Sequence, residues 1–101
     1  MKKILLVENS EALSKNIIYN LQGDGYTVLH TEVLSESYKI LAESNISLII
    51  ADMGFDADQI IKFTTTISKD SNFKLIPFLM LSDEIKMNSY NGPKSVSKNQ
   101  F

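Results

Sequence analysis

The chain has 101 residues, 44% of them hydrophobic and 22% charged, with four glycines and two prolines. That is enough for one core and too little for two, and it differs from the composition of disordered or fibrous chains. Ten lysines, no arginine and twelve acidic residues give a formal charge of -2 and are interspersed along the chain, which removes the basic cluster that direct nucleic-acid binding needs. No cysteine is present, which excludes disulfides and thiolate metal sites and fits a reducing, cytoplasmic setting.

Met1-Lys2-Lys3 leads into Ile4-Leu5-Leu6-Val7, a basic flank followed by an apolar run. The run stops at Glu8-Asn9-Ser10-Glu11, too soon for the core of a signal peptide or a membrane span. A short apolar run with charge on both sides suits instead a strand buried on both faces. Asn9-Ser10-Glu11 reads as a helix start, with Leu13, Ile17, Ile18 and Leu21 at helical spacing and Gly23-Asp24-Gly25 as the stop. Tyr26 to Thr31 is rich in β-formers and predicts a second, more exposed strand. A short helix is expected from Ser35 to about Ser44, ended by Asn45.

Ile46 to Ala51 is the strongest strand signal in the chain, and it stops abruptly at Asp52. Beyond Gly54, Ile60, Ile61, Phe63 and Ile67 mark a third helix, which Thr64-Thr65-Thr66 weakens by propensity. Asp56 and Asp58, near its start, suit the positive end of the helix dipole better than a Ca²⁺ loop. Leu75 to Leu81 predicts a fourth strand with Pro77 near its beginning. Asp83 to Tyr90 has room for two helical turns, Asn91-Gly92-Pro93 breaks the chain, and Ser95-Val96-Ser97 is a candidate fifth strand.

Strands alternating with helices, the best of them continuously apolar, predict an α/β fold with a doubly wound parallel sheet. For this size the flavodoxin-like strand order 2-1-3-4-5 is the expected topology, across residues 1–101 as one domain. Such folds bind ligands outside the carboxyl ends of their strands, which directs attention to Glu8, Asn9, Asp52 and Ser82. Glu8, Asn9 and Asp52 are oxygen ligands of the kind Mg²⁺ prefers, Ser82 adds a hydroxyl, and Lys98 can bring an ammonium to an anion held there. Phosphoryl transfer to a carboxylate requires this set of parts: a nucleophile, a cation and donors for the remaining phosphate oxygens.

Four segments, in order, resemble the landmarks of the receiver domains of two-component response regulators. They are Lys3-Ile4-Leu5-Leu6-Val7-Glu8-Asn9, Leu48-Ile49-Ile50-Ala51-Asp52-Met53, Leu79-Met80-Leu81-Ser82 and Val96-Ser97-Lys98-Asn99-Gln100-Phe101. The resemblance implies that Asp52 is the phosphoacceptor, that Glu8 and Asn9 stand at the paired-acid positions of the metal site, and that the Gly54 carbonyl completes that site. It further implies that Ser82 is the hydroxyl that shifts toward the phosphoryl group and Lys98 the lysine that pairs with it. A histidine kinase or phosphotransfer protein would then be the donor, and a downstream protein the receiver of the signal, with no enzymatic turnover of a substrate.

Several residues depart from the family pattern. Asn9 replaces an acid and should weaken Mg²⁺ binding, Asp83 stands where a small residue is usual, and Ser95 replaces the switch aromatic. The segment from Ser82 to Gly92 is short for the fourth helix, and the chain reaches Phe101 where the fifth would begin. These departures define the alternative expectation, a pseudo-receiver that acts as an interaction module without phosphate. The shortened end is also expected to leave an apolar face open to a homodimer or a partner, with the signal passing by protein contact.

Three other readings weigh individual residues differently. Asn9 is as good a helix cap as a metal ligand, and Ser82 serves equally as a site hydroxyl or a cap. His30, the single histidine, is expected to be a surface or partly packed residue of the second strand, with no partner for a metal or catalytic role. A flavin- or nucleotide-binding enzyme or a hydrolase lacks support, because no glycine-rich phosphate loop or nucleophile elbow occurs.

Overall fold

The computed structural model describes residues 2–52, 57–82 and 95–97, without the side chains of residue 57, residue 82 and residues 95–97. Five strands and three helices alternate along them: β1 (Lys3–Val7), α1 (Glu11–Gly23), β2 (Thr27–Thr31), α2 (Leu34–Glu43), β3 (Ile46–Asp52), α3 (Ala57–Lys69), β4 (Phe78–Ser82) and β5 (Ser95–Ser97). All strand pairs are parallel and the spatial order is β2-β1-β3-β4-β5, the predicted flavodoxin-like order. The predicted shortened fourth helix and missing fifth helix fall on residues 83–94 and 98–101, outside those described.

β1 and β3 are buried on both faces, which is why their sequences are continuous apolar runs rather than alternating ones. Side-chain alternation divides them between two clusters. Leu5, Val7, Ile49, Ala51 and Met80 face α2 and α3, where they meet Leu41, Ile60, Phe63 and Ile67. Ile4, Leu6, Ile50 and Leu81 face α1 and meet Ile17. β2, at the edge, has four half-buried residues and one buried, as the more exposed strand expected of Tyr26 to Thr31.

The helices begin and end for identifiable reasons. Ser10, rather than the predicted Asn9, caps α1: its backbone is extended and its Oγ accepts the Leu13 N–H at 3.3 Å. Its far end closes with Tyr26 N–H donating to the Leu21 carbonyl at 3.1 Å and Gly25 N–H to that of Gln22 at 3.0 Å. This double closure needs a left-handed residue, and Gly25 has φ +93°. In α3 the expected weakness of the threonine run is met locally, with the Thr64 hydroxyl donating to the Ile61 carbonyl at 3.1 Å. Ile61, counted in the apolar stripe of the sequence, points outward at 60% exposure.

β4 starts later than Leu75. The segment from Asp70 to Ile76 is a series of turns, with Lys74 N–H on the Asp70 carbonyl at 2.8 Å and Ile76 N–H on that of Phe73 at 3.0 Å. Leu75 is left 89% exposed, while Phe73 and Ile76 pack on the core. Pro77 donates no hydrogen bond, but its carbonyl accepts the Ile49 N–H at 3.0 Å, and the ladder proper begins at Phe78.

Candidate functional site at the carboxyl ends of the strands

The ladder places the strand ends in register. Val7 is level with Ala51 in β3, which in turn is level with Met80 in β4, so Glu8 lies beside Asp52, and Ser82 stands one residue beyond Leu81, the partner of Asp52. Parallel neighbours run roughly 4.8 Å apart. Glu8 continues the Ile4, Leu6 alternation and Asp52 the Ile50 alternation, so both carboxyl side chains rise on the α1 face of the sheet. Both are buried, Glu8 at 0% exposure and Asp52 at 3%.

Acidic residues are almost never this buried without a specific partner. Two adjacent carboxyl groups repel when both are ionised, so the arrangement calls for a proton or a cationic group among them. The Glu8 carboxylate is oriented from within its own turn, where Oε1 accepts the Ser10 N–H at 2.9 Å. Asn9 follows on the exposed outer side of this turn. The donor set is therefore two buried carboxyl groups with an amide beside them, and no three acidic, histidine or cysteine side chains gather among the described residues. Two carboxylates plus waters are a set that fits Mg²⁺, which is bound through few protein ligands and retains much of its hydration.

Of the residues predicted for the site, Glu8 and Asp52 are brought together, Asn9 adjoins them, and Ser82 occupies the end of β4. Gly54 and Lys98 lie outside the described residues, as do Asp56 and Asp83. Ser95 is the first residue of β5, and Asp58 is an exposed acid in the first turn of α3, where it complements the dipole.

One neighbour of the site was not read as such from the sequence. His30 is half-buried on β2, level with Leu6, and its Nε2–H donates to the main-chain carbonyl of Glu8 at 2.8 Å. The partner is a backbone atom and leaves no mark in the sequence. What marks the position is a polar ring that follows Val28 on the inward parity of β2.

Neither a protein-family model nor a curated protein sequence matches the chain. Solved structures do match it in fold. A response-regulator receiver domain from Clostridium thermocellum superposes with a TM-score of 0.82 at 21% identity, covering 97% of this chain and 82% of its own. A response regulator from Thermotoga maritima, solved in complex with Mg²⁺ and BeF, gives 0.81 at 22% identity over 96% of this chain and 86% of its own. A chemotaxis response regulator from Vibrio cholerae gives 0.81 at 21% identity, with 97% and 87% covered. The chain has the fold of response-regulator receiver domains. Among the described residues no helix is long and apolar enough to cross a membrane.

Proposed function

We propose that the protein is a two-component receiver whose switch is phosphorylation of Asp52. The observation that carries the reading is the pair of buried carboxyl groups, Glu8 and Asp52, side by side at the carboxyl ends of β1 and β3. In the reaction an Asp52 carboxylate oxygen attacks the phosphorus of a phosphohistidine on a histidine kinase or phosphotransfer protein. The new P–O bond forms as the P–N bond breaks, and the imidazole leaves with its electron pair. Glu8, Asn9 and Asp52, with the Gly54 carbonyl, would hold Mg²⁺, and when bound it neutralises charge on the phosphoryl oxygens. Burial keeps the Asp52 carboxyl group fixed for in-line attack, and the Ser10 N–H fixes Glu8 next to it.

Ser82 and Lys98 would register the phosphoryl group, the hydroxyl by hydrogen bonding and the ammonium by charge. The added charge of about -2 is large enough to reorder a neighbouring segment. The output is then contact with a downstream protein or a second copy of the chain, in a cytoplasmic setting, rather than turnover of a substrate.

The test is addition of Mg²⁺ and beryllofluoride followed by amide NMR, together with phosphorylation by a small phosphodonor read by intact mass. Shifts centred on Asp52, Glu8 and Ser82 and a single added phosphoryl group, both lost in Asp52→Asn, are the expected results. No shifts and no added mass in the wild-type chain reject the reading.

A second reading, a phosphate-independent interaction module, is favoured by one feature: Asn9 puts an exposed neutral amide where a third acid would strengthen the cation site. It expects Asp52→Asn to bind the downstream partner as the wild type does, and a clear loss of binding eliminates it.

A further inference from the structure

The end of β1 lacks a rung of its ladder, and His30 stands in for it. Glu8 N–H donates to the Thr31 carbonyl at 3.1 Å, continuing the parallel pairing of β1 with β2 by one step. In that pattern the next bond would run from the Val33 N–H to the Glu8 carbonyl. Val33 N–H is instead turned to the Thr31 hydroxyl at 3.1 Å, in the bend that starts α2. The same hydroxyl lies 2.8 Å from a Glu36 carboxylate oxygen, so the bend is held by its own side chains. The Glu8 carbonyl, at a buried residue, would be left without this donor, and the His30 imidazole supplies one at 2.8 Å.

We infer that His30 is a positioning residue for the acid rim: through the Glu8 carbonyl it fixes the peptide that joins Glu8 to Asn9, and so the placement of both side chains. The bond requires the tautomer with the proton on Nε2, because a carbonyl only accepts. Glu8 is then held at three points, its N–H by Thr31, its carbonyl by His30 and its carboxylate by Ser10. A side chain that orients a metal ligand from behind changes affinity without touching the metal. The inference rests on the reading of Glu8 and Asp52 as a cation site, and it adds the histidine that the receiver resemblance does not assign.

The experiment compares wild type, His30→Leu and His30→Gln, the last able to donate an amide N–H from a similar reach. Two readouts are taken: native-state hydrogen exchange of the Ser10 and Leu13 amides against those of Leu5 and Leu6, and the Mg²⁺ dissociation constant by NMR titration. His30→Leu is expected to speed exchange at Ser10 and Leu13 by about tenfold with Leu5 and Leu6 unchanged, and to weaken Mg²⁺ by about tenfold, within the range for partners that orient ligands. His30→Gln should restore much of both. Uniform acceleration across β1 overturns the inference, since it indicates global destabilisation alone. So does faster exchange at Ser10 with unchanged Mg²⁺ affinity, or unchanged exchange in His30→Leu. A wild-type chain with no Mg²⁺ response overturns the cation-site reading and with it the positioning role, and the exchange arm then decides separately whether His30 clamps the turn.

Discussion

Among the described residues, ten buried side chains join in one cluster on the α2 and α3 face of the sheet and five on the α1 face, where the strands end in Glu8 and Asp52. The larger cluster is organised by Phe63, whose ring meets Tyr38 edge-on at 5.4 Å and Phe78 at 5.7 Å. Such contacts add to the area buried and fix one packing. On the other face Leu48 and Leu79 stay half-buried, and the polar rim interrupts the apolar stripe. Among the described residues the α2 and α3 face therefore holds the larger apolar cluster, while the α1 face ends in two buried carboxyl groups.

Phe63→Ala should cost the most, about 3–5 kcal/mol by urea unfolding, because it removes a buried ring and leaves a cavity between two others. Leu79→Ala, half-buried on the α1 face, should cost about 1–2 kcal/mol, at or below the low end for a leucine truncation; a loss equal to that of Phe63→Ala breaks the comparison. Ser37→Ala sharpens it in the opposite direction. Ser37 is buried on the sheet-facing side of α2, and among the described residues its Oγ has no hydrogen-bond partner. Removing the hydroxyl should raise stability by about 1 kcal/mol, and a loss of stability in that variant would mean that the hydroxyl is satisfied in solution. The smallest effect is expected from Lys15→Ala on the outside of α1. Its exposed pair with Glu11 at 3.0 Å should be worth about 0.3 kcal/mol, with a dependence on salt.

The central strands were legible because a strand buried on both faces is written as an unbroken apolar run: Ile4 to Val7 and Ile46 to Ala51 admit few other readings. The same logic misled at Leu75 and Ile76. They continue the apolar run of β4 in sequence, but the turns from Asp70 and the missing N–H of Pro77 delay the ladder until Phe78. Helix α1 was clear from its stripe, whereas the choice between Asn9 and Ser10 as its cap depended on one residue of backbone conformation. For the site, Glu8 and Asp52 could be named from their places at strand ends, and the register adds that they share a face. His30 was unreadable as a neighbour because its partner is a peptide carbonyl, and every residue has one.

β1 lies between β2 and β3 in the sheet, although it precedes both in the chain. On the ribosome it must therefore wait, first for β2 and then for the segment ending at Asp52, before its two edges are covered. Folds dominated by pairing between segments distant in sequence form more slowly than those built from local contacts. Until β3 docks, Leu5 and Val7 expose unpaired backbone and apolar surface together, the hazard that chaperones meet in nascent chains. The docking that ends this exposure is also what first sets Glu8 beside Asp52, so a nascent chain acquires the rim and loses its sticky edge in the same event.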